Sequence, residues 1–208
     1  MNFESLIFDI DGTLWDSRSL VAEGYNIQLE AEGLQHLAVD AEALKPLFGK
    51  VMTEIADVLF ASIPVPERYA LLDRCMEREN RHLYESPCDT IGYPHVKETL
   101  EQLAKKHRLF IVSNSQCGYP ELCINKLGLG DCIQGHLCFG DTGTSKGQTI
   151  LRLMRQHNIT SCIYIGDTQG DLEACREAGV PFIFAAYGLG QAEAWDSRIE
   201  KIEDLLHM

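Results

Sequence analysis

The sequence predicts an α/β protein in which a parallel sheet carries an all-helical insertion near its N-terminus. Three observations lead there. Short apolar runs alternate with amphipathic helical stretches over most of the chain. The runs are continuous rather than alternating apolar and polar, as in strands covered by helices on both faces. Residues 16–86 hold helical patterns and no convincing strand, which interrupts the alternation.

The first run, Leu6-Ile7-Phe8, ends in Asp9-Ile10-Asp11-Gly12-Thr13 and reads as a buried strand broken by a glycine turn. Within the insertion, helical stretches are expected over about Ser17–Glu32, Ala41–Phe48, Met52–Ser62 and Glu67–Tyr84, with Ile63-Pro64-Val65-Pro66 as a helix break. The junctions near Asp16 and near Ser86-Pro87 are expected to act as hinges. Beyond them, His95–Lys106 carries Val96, Leu100 and Leu103 on one stripe. Leu109-Phe110-Ile111-Val112 is a second strand, running into Ser113-Asn114-Ser115. Tyr119–Leu127 is helical, and His136-Leu137-Cys138-Phe139 is a weaker strand. Lys146–His157 is helical, and Cys162-Ile163-Tyr164-Ile165 is a strand running into Gly166-Asp167-Thr168. Asp171–Ala178 is a helix stopped by Gly179, and Pro181–Ala186 is the last predicted strand. In open parallel sheets ligands bind beyond the carboxyl ends of the strands, where these polar clusters fall.

The chain has 208 residues, which suits one large domain or a domain with an insertion. With 18 Lys+Arg against 31 Asp+Glu, the net charge is −13. Such a surface repels phosphate backbones and anionic lipid, so neither nucleic acid nor a membrane is expected as a partner. An anionic substrate would need a local positive site. The eight cysteines, Cys75, Cys88, Cys117, Cys123, Cys132, Cys138, Cys162 and Cys175, form no C-x-x-C pair, so a zinc ribbon is unsupported. The start Met1-Asn2-Phe3-Glu4 has no basic region or long apolar run, and a cytoplasmic protein with reduced thiols is expected.

Asp9 and Asp11 flank Ile10 just after a strand, and two carboxylates this close need a cation or a shared proton. One can serve as nucleophile and the other as general acid and base. Alone, an acid-x-acid pair equally suits an acidic surface turn. Asp167 and Asp171 form a second acidic group whose hard oxygens suit Mg²⁺. Asp171 also reads as a helix N-cap. Ser113 can donate a hydrogen bond at a strand end, and Lys146 can neutralise a bound anion, although a lone lysine there also reads as solvated.

In this order, acid-x-acid, Ser, Lys and Gly-Asp…Asp, the residues resemble the four motifs of the haloacid dehalogenase-like hydrolase superfamily. They stand here as Asp9-Ile10-Asp11-Gly12-Thr13-Leu14-Trp15-Asp16-Ser17, Ser113-Asn114, Lys146 and Gly166-Asp167-Thr168-Gln169-Gly170-Asp171. The resemblance implies a Rossmann-like catalytic core over residues 1–15 and 87–208, with an inserted α-helical cap over residues 16–86. The subgroup looks like phosphoglycolate phosphatase and β-phosphoglucomutase relatives. It implies a Mg²⁺-dependent phosphatase acting on a small-molecule phosphate monoester, phosphoglycolate-type or sugar phosphate. Asp9 would form an aspartyl-phosphate, Asp11 would protonate the leaving oxygen and then activate water, and Ser113 and Lys146 would bind phosphoryl oxygens. The metal would be held by Asp9, Asp11, Asp167 and Asp171, with Asp171 direct or one shell out. Gly12, Thr13, Asn114 and Lys50 would contact substrate, Lys50 through the loop Leu47-Phe48-Gly49-Lys50-Val51 that resembles the family's specificity loop. Lys50 reads equally as a solvated lysine at a helix start. Where many relatives have Lys-Pro, this chain has Lys146-Gly147. A monomer or weak homodimer is expected.

Asp11 argues against a dehalogenase, which has no leaving group to protonate. Nothing marks Lys50 as a Schiff-base lysine. A signalling receiver domain would lack the helical insertion. A phosphosugar mutase, or a non-catalytic binder of phosphate or protein, stays open as an alternative, because water exclusion from the aspartyl-phosphate is not written in sequence.

Overall fold

The computed structural model describes residues 3–87 and 91–208; Cys88 and the two following residues at the second junction, and Met1-Asn2 at the start, lie outside the described residues. Six strands form one sheet: β1 Ser5–Phe8, β2 Arg108–Ser113, β3 Ile133–Cys138, β4 Cys162–Gly166, β5 Phe182–Ala185 and β6 Ser197–Ile199. Their order is β3-β2-β1-β4-β5-β6 and every pairing is parallel. The helices are α1 Arg18–Ala31, α2 Ala41–Leu44, α3 Met52–Leu59, α4 Val65–Glu85, α5 Val96–Leu103, α6 Tyr119–Leu127, α7 Phe139–Thr142, α8 Lys146–Gln156 and α9 Gln169–Ala178.

The apolar runs form the central strands because only a doubly covered strand can bury every side chain. All residues of β1, β4 and β5 are buried. Phe110 of β2, Tyr164 of β4 and Phe182 of β5 pack with Ile150 and Leu153 of α8 and Leu172 of α9 in one core. At the centre, Phe8 is in register with Ile111 of β2 and Ile165 of β4. The chain order reverses at β1, the position where open sheets of this order form a crevice for ligands.

The structure corrects several boundaries. β3 spans Ile133–Cys138 rather than 136–139, and Phe139 starts α7 instead of ending a strand. Its N-terminal half is half-exposed and polar, so no apolar run marked it. β6 was not foreseen, since three edge residues, Ser197-Arg198-Ile199, leave too short a pattern. The helix after β4 begins at Gln169, with Thr168 as its cap. Asp171 is therefore the reciprocal partner of a capping box and not the N-cap itself.

By contacts the chain divides into a unit of Met1–Asp16 with Asp89–Met208 and a helical unit of Ser17–Cys88. In the first unit the departing and returning segments pair: Trp15 bridges Gly92, Asp16 N–H donates to Ile91 O at 2.9 Å and Tyr93 N–H to Leu14 O at 3.0 Å.

In the helical unit, α1 packs along α4. The expected stretch 41–48 splits into α2 and a 3₁₀ turn, Lys45–Leu47, where Pro46 cannot continue an α-helix. The Ile63–Pro66 break is shorter than expected. α4 already begins at Val65, because Pro66 in a first turn gives up an amide that would have no helical partner. Arg68 closes this break. Its guanidinium donates to Phe60 O at 3.1 Å, Ala61 O at 3.0 Å and Ile63 O at 3.0 Å, and to Asp57 Oδ1 at 2.7 Å. Those carbonyls lie in the turn that follows α3. Arg68→Met keeps the aliphatic stem and removes the donors. It should cost about 2 kcal/mol, read as a fall of about 4–8 °C in the melting temperature. An unchanged melting temperature would show that water serves these carbonyls equally well.

Candidate active site

Three strand ends deliver the site. Asp9 follows β1, Ser113 ends β2 and Asp167 follows β4. Because β2, β1 and β4 are neighbours in register, these residues come together across about three strand widths. Asp9 N–H donates to Ile165 O at 2.8 Å, so the β1–β4 ladder continues into the first acid. Ile10, fully buried, points into the core between the two acids.

Lys146 reaches the cluster from the first turn of α8, whose N-cap Ser145 accepts from Gln148 N–H. Its Nζ donates to Asp171 Oδ1 at 2.7 Å and Asp9 Oδ1 at 3.1 Å. It lies 5.8 Å from the centre of the Tyr164 ring. Asp9, Lys146, Asp167 and Asp171 are all at most 5 % exposed. Asp9, Asp167 and Asp171 each place a carboxylate oxygen within 4.8 Å of the others.

The three acids are not equivalent. Asp171 is saturated. Its Oδ2 accepts from Asp167 N–H, Thr168 N–H and the Thr168 hydroxyl at 3.2, 3.0 and 2.7 Å, and its Oδ1 faces Lys146 and, at 3.3 Å, the Tyr164 hydroxyl. Asp167 Oδ2 accepts from Leu189 and Gly190 N–H at 2.7 and 2.9 Å. Its Oδ1 is buried and finds no hydrogen-bond partner among the described residues. Gly12, at φ +81°, leaves this carboxylate room, since a Cβ there would run into Asp167.

Burial pushes the Asp9 carboxyl well above the usual carboxylate range. The Asp171, Asp167 and Asp11 charges push the same way, and Lys146 opposes them. Asp167 is pushed up to about 7 by burial and then by Asp171, against the Gly190 and Leu189 amides. For Lys146, burial would lower the pKa, but Asp171 and Asp9 override it and hold the ammonium above its ordinary value. Three carboxylates against one ammonium carry a formal charge of −2. The hard oxygen set, that charge and the orphaned Asp167 Oδ1 fit a divalent cation.

Asp11 has aromatic partners. Trp15 Nε1–H and the Tyr119 hydroxyl each donate to its Oδ1 at 2.8 Å, and the two rings meet edge-to-face, centroids 5.4 Å apart. Neither aromatic shows in sequence as the support of an acid. A Trp four residues after the acid leaves no periodic signal, and Tyr119 is 108 residues away from it. The Leu189–Gly190 amides were missed for a plainer reason, since backbone donors carry no residue signature.

The remaining expected residues fall as follows. Ser113 is buried, and its Oγ accepts from Ser115 N–H at 3.3 Å. Thr13 is buried beside Gly12, and its backbone carbonyl accepts from the Tyr187 hydroxyl at 2.8 Å. Asn114 is the first residue beyond β2, directly after Ser113. Lys50 belongs to the helical unit, exposed, 3.9 Å from Glu54 of α3.

A parallel α/β sheet that gathers buried acids and a lysine beyond its central strands defines an enzyme acting on an anionic group. The sequence model of the haloacid dehalogenase-like hydrolases matches residues 6–185, and the chain belongs to that family. It is 28% identical over 193 residues to a phosphoglycolate phosphatase of Xanthomonas campestris, covering 88% of this chain and 83% of that protein. It is 29% identical over 188 residues to a phosphoglycolate phosphatase of Aquifex aeolicus, covering 88% and 84%. A solved haloacid dehalogenase-like family protein from Streptococcus pneumoniae superposes with a TM-score of 0.79 at 19% identity, over 99% of this chain and 97% of that one.

Asp9 and Asp167 are more readily protonated folded than unfolded, so the folded metal-free protein binds more protons between about pH 4 and pH 7. Its stability therefore falls as pH rises through that window. Asp167→Asn removes one charge, and its amide oxygen can still accept from Leu189 and Gly190. With metal chelated at pH 8, this variant should melt about 2–4 °C above wild type, the shift that 1 kcal/mol gives in a chain of this size. The advantage should vanish near pH 4, and added divalent ion should raise only the wild-type melting temperature. A variant melting below wild type at pH 8 would refute the charge-repulsion account.

Proposed function

We propose that the protein is a Mg²⁺-dependent phosphatase that hydrolyses a small-molecule phosphate monoester through an aspartyl-phosphate on Asp9. The observation that carries this reading is the buried Asp9–Lys146–Asp171 bridge beside an Asp167 oxygen with no hydrogen-bond partner among the described residues. The named relatives act as its second support: phosphoglycolate phosphatases align over most of the chain.

Asp9, Asp167 and the Asp11 backbone would hold the ion, with Asp171 bracing Lys146 and Asp167 rather than ligating. When bound, Mg²⁺ would draw negative charge off the phosphoryl group. Lys146 occupies Asp9 Oδ1, which presents the other oxygen as nucleophile. That oxygen forms the bond to phosphorus as the ester oxygen departs. Ser113 and Lys146 donate to phosphoryl oxygens, and Asn114 and the Gly12-Thr13 turn border them. Asp11 gives its proton to the leaving alkoxide. It then takes a proton from water as that water attacks phosphorus, which frees Asp9 and inorganic phosphate. The Tyr119 hydroxyl and the Trp15 indole keep Asp11 aimed through both half-reactions.

Phosphate release should be followed from p-nitrophenyl phosphate and from a panel including phosphoglycolate and sugar phosphates, with Mg²⁺ or EDTA. Turnover should need the ion and fall at least about 10³-fold in Asp9→Asn. It should fall about 10²–10⁴-fold in Asp11→Asn. Pure, folded, Mg²⁺-loaded protein that releases no phosphate from any ester would reject the proposal.

Trp15→Phe and Tyr119→Phe each remove one hydrogen bond from Asp11. Each should lower kcat about tenfold with little change in KM, roughly the 1–1.5 kcal/mol of one hydrogen bond. A KM effect with kcat intact would instead assign these rings to substrate binding.

A further inference from the structure

A second group of ligand atoms shares no residue with the Asp9–Asp167–Asp171 cluster. Cys117 lies on the loop between β2 and α6, Cys138 ends β3, and Asp141 lies in α7. Since Ser113 pairs with Cys138 in the β2–β3 ladder, the two loops leave the sheet side by side. Two thiol sulfurs and a carboxylate oxygen from these residues lie within 4.8 Å of one another. Cys138 Sγ donates to Asp141 Oδ2 at 3.1 Å, and Cys117 Sγ to Asp141 Oδ1 at 3.6 Å. Cys138 is buried, whereas Cys117 and Asp141 are exposed, so the group opens to solvent on one side.

The surroundings hold this arrangement in place. Cys138 N–H donates to Asp141 Oδ2 at 2.9 Å and orients the carboxylate. Gly140 N–H donates to Ser115 O at 3.1 Å and ties the two loops together. A Cβ at Gly140 would stand 2.5 Å from Cys117 N and 2.8 Å from Cys117 Sγ, so only glycine lets the thiol approach.

We propose that Cys117, Cys138 and Asp141 form a binding site for a borderline-soft divalent cation of the zinc type. Metal–sulfur and metal–oxygen bonds of about 2.3 and 2.0–2.2 Å place tetrahedral S and O ligands about 3.5 Å apart. Cys138 Sγ lies 3.1 Å from Asp141 Oδ2 and Cys117 Sγ 3.6 Å from Asp141 Oδ1, each near that distance from its own carboxylate oxygen. Three protein ligands leave a fourth position for water. Magnesium takes oxygen ligands and is not served by thiols, so this group and the acid cluster select different ions. Both thiols are hydrogen-bond donors and so protonated. Uptake forms two metal–sulfur bonds, breaks two S–H bonds and releases two protons, with no change of oxidation state.

The test uses the full chain, thiols reduced, with excess Mg²⁺ to satisfy the acid cluster, and Cd²⁺ as a spectroscopic stand-in for zinc. One equivalent should give an ultraviolet thiolate-to-metal absorption band and release two protons per ion. Cys117→Ser and Asp141→Asn, both at the surface, should weaken binding at least tenfold, while Cys132→Ser should leave it unchanged. No band at one equivalent, a band indifferent to Cys117→Ser, or an equal loss in Cys132→Ser would each overturn the proposal.

Discussion

Removing a carboxylate from water costs several kcal/mol unless a counter-charge or donors accompany it into the protein. Here the Lys146 ammonium lies between two of three buried acids, at 2.7 Å from Asp171 and 3.1 Å from Asp9. One cation for three anions makes the cluster tolerable without making it neutral. The rest of the site follows from that imbalance. Asp171 spends its remaining capacity on Thr168 and the Asp167 amide, and Asp167 takes the Leu189 and Gly190 amides. Each acid is thus held by a different partner set, and a formal charge of −2 remains, which fits a divalent cation.

The sheet makes this possible. Parallel strands buried on both faces end together, so the first residues beyond them emerge in a narrow crevice with little competing backbone. Asp9 and Asp167 are such residues, and Ser113 is the last of β2. α8 and α9 bring Lys146 and Asp171 to the same edge in their first turns, which the side chains of Ser145 and Thr168 cap.

Asp9 and Asp11 are two residues apart and live in different surroundings. Asp9 is buried against an ammonium; Asp11 is held by two neutral donors on aromatic rings that brace each other. An environment that separates two like groups is how one fold can give them separate roles. The pairing of residues 14–16 with 91–93 also fixes Trp15, so the support of Asp11 depends on where the chain leaves and re-enters the core unit.

Continuous apolar runs were enough to place β1, β2, β4 and β5, because a strand buried on both faces must be apolar throughout. The same reasoning failed for β6 and the first half of β3, whose exposed edge positions tolerate polar residues. Position after a strand also marked Asp9, Ser113 and Asp167, position at a helix start marked Lys146, and the structure brings the acids and the lysine together. Only the tertiary structure decided what stands next to them. Tyr119 beside Asp11, the Leu189–Gly190 amides on Asp167 and the Cys117–Cys138–Asp141 group join residues distant in sequence or backbone atoms that every residue carries. Pattern in one dimension reports which face is buried; partners across the sheet are set by loop paths, and no spacing rule encodes those.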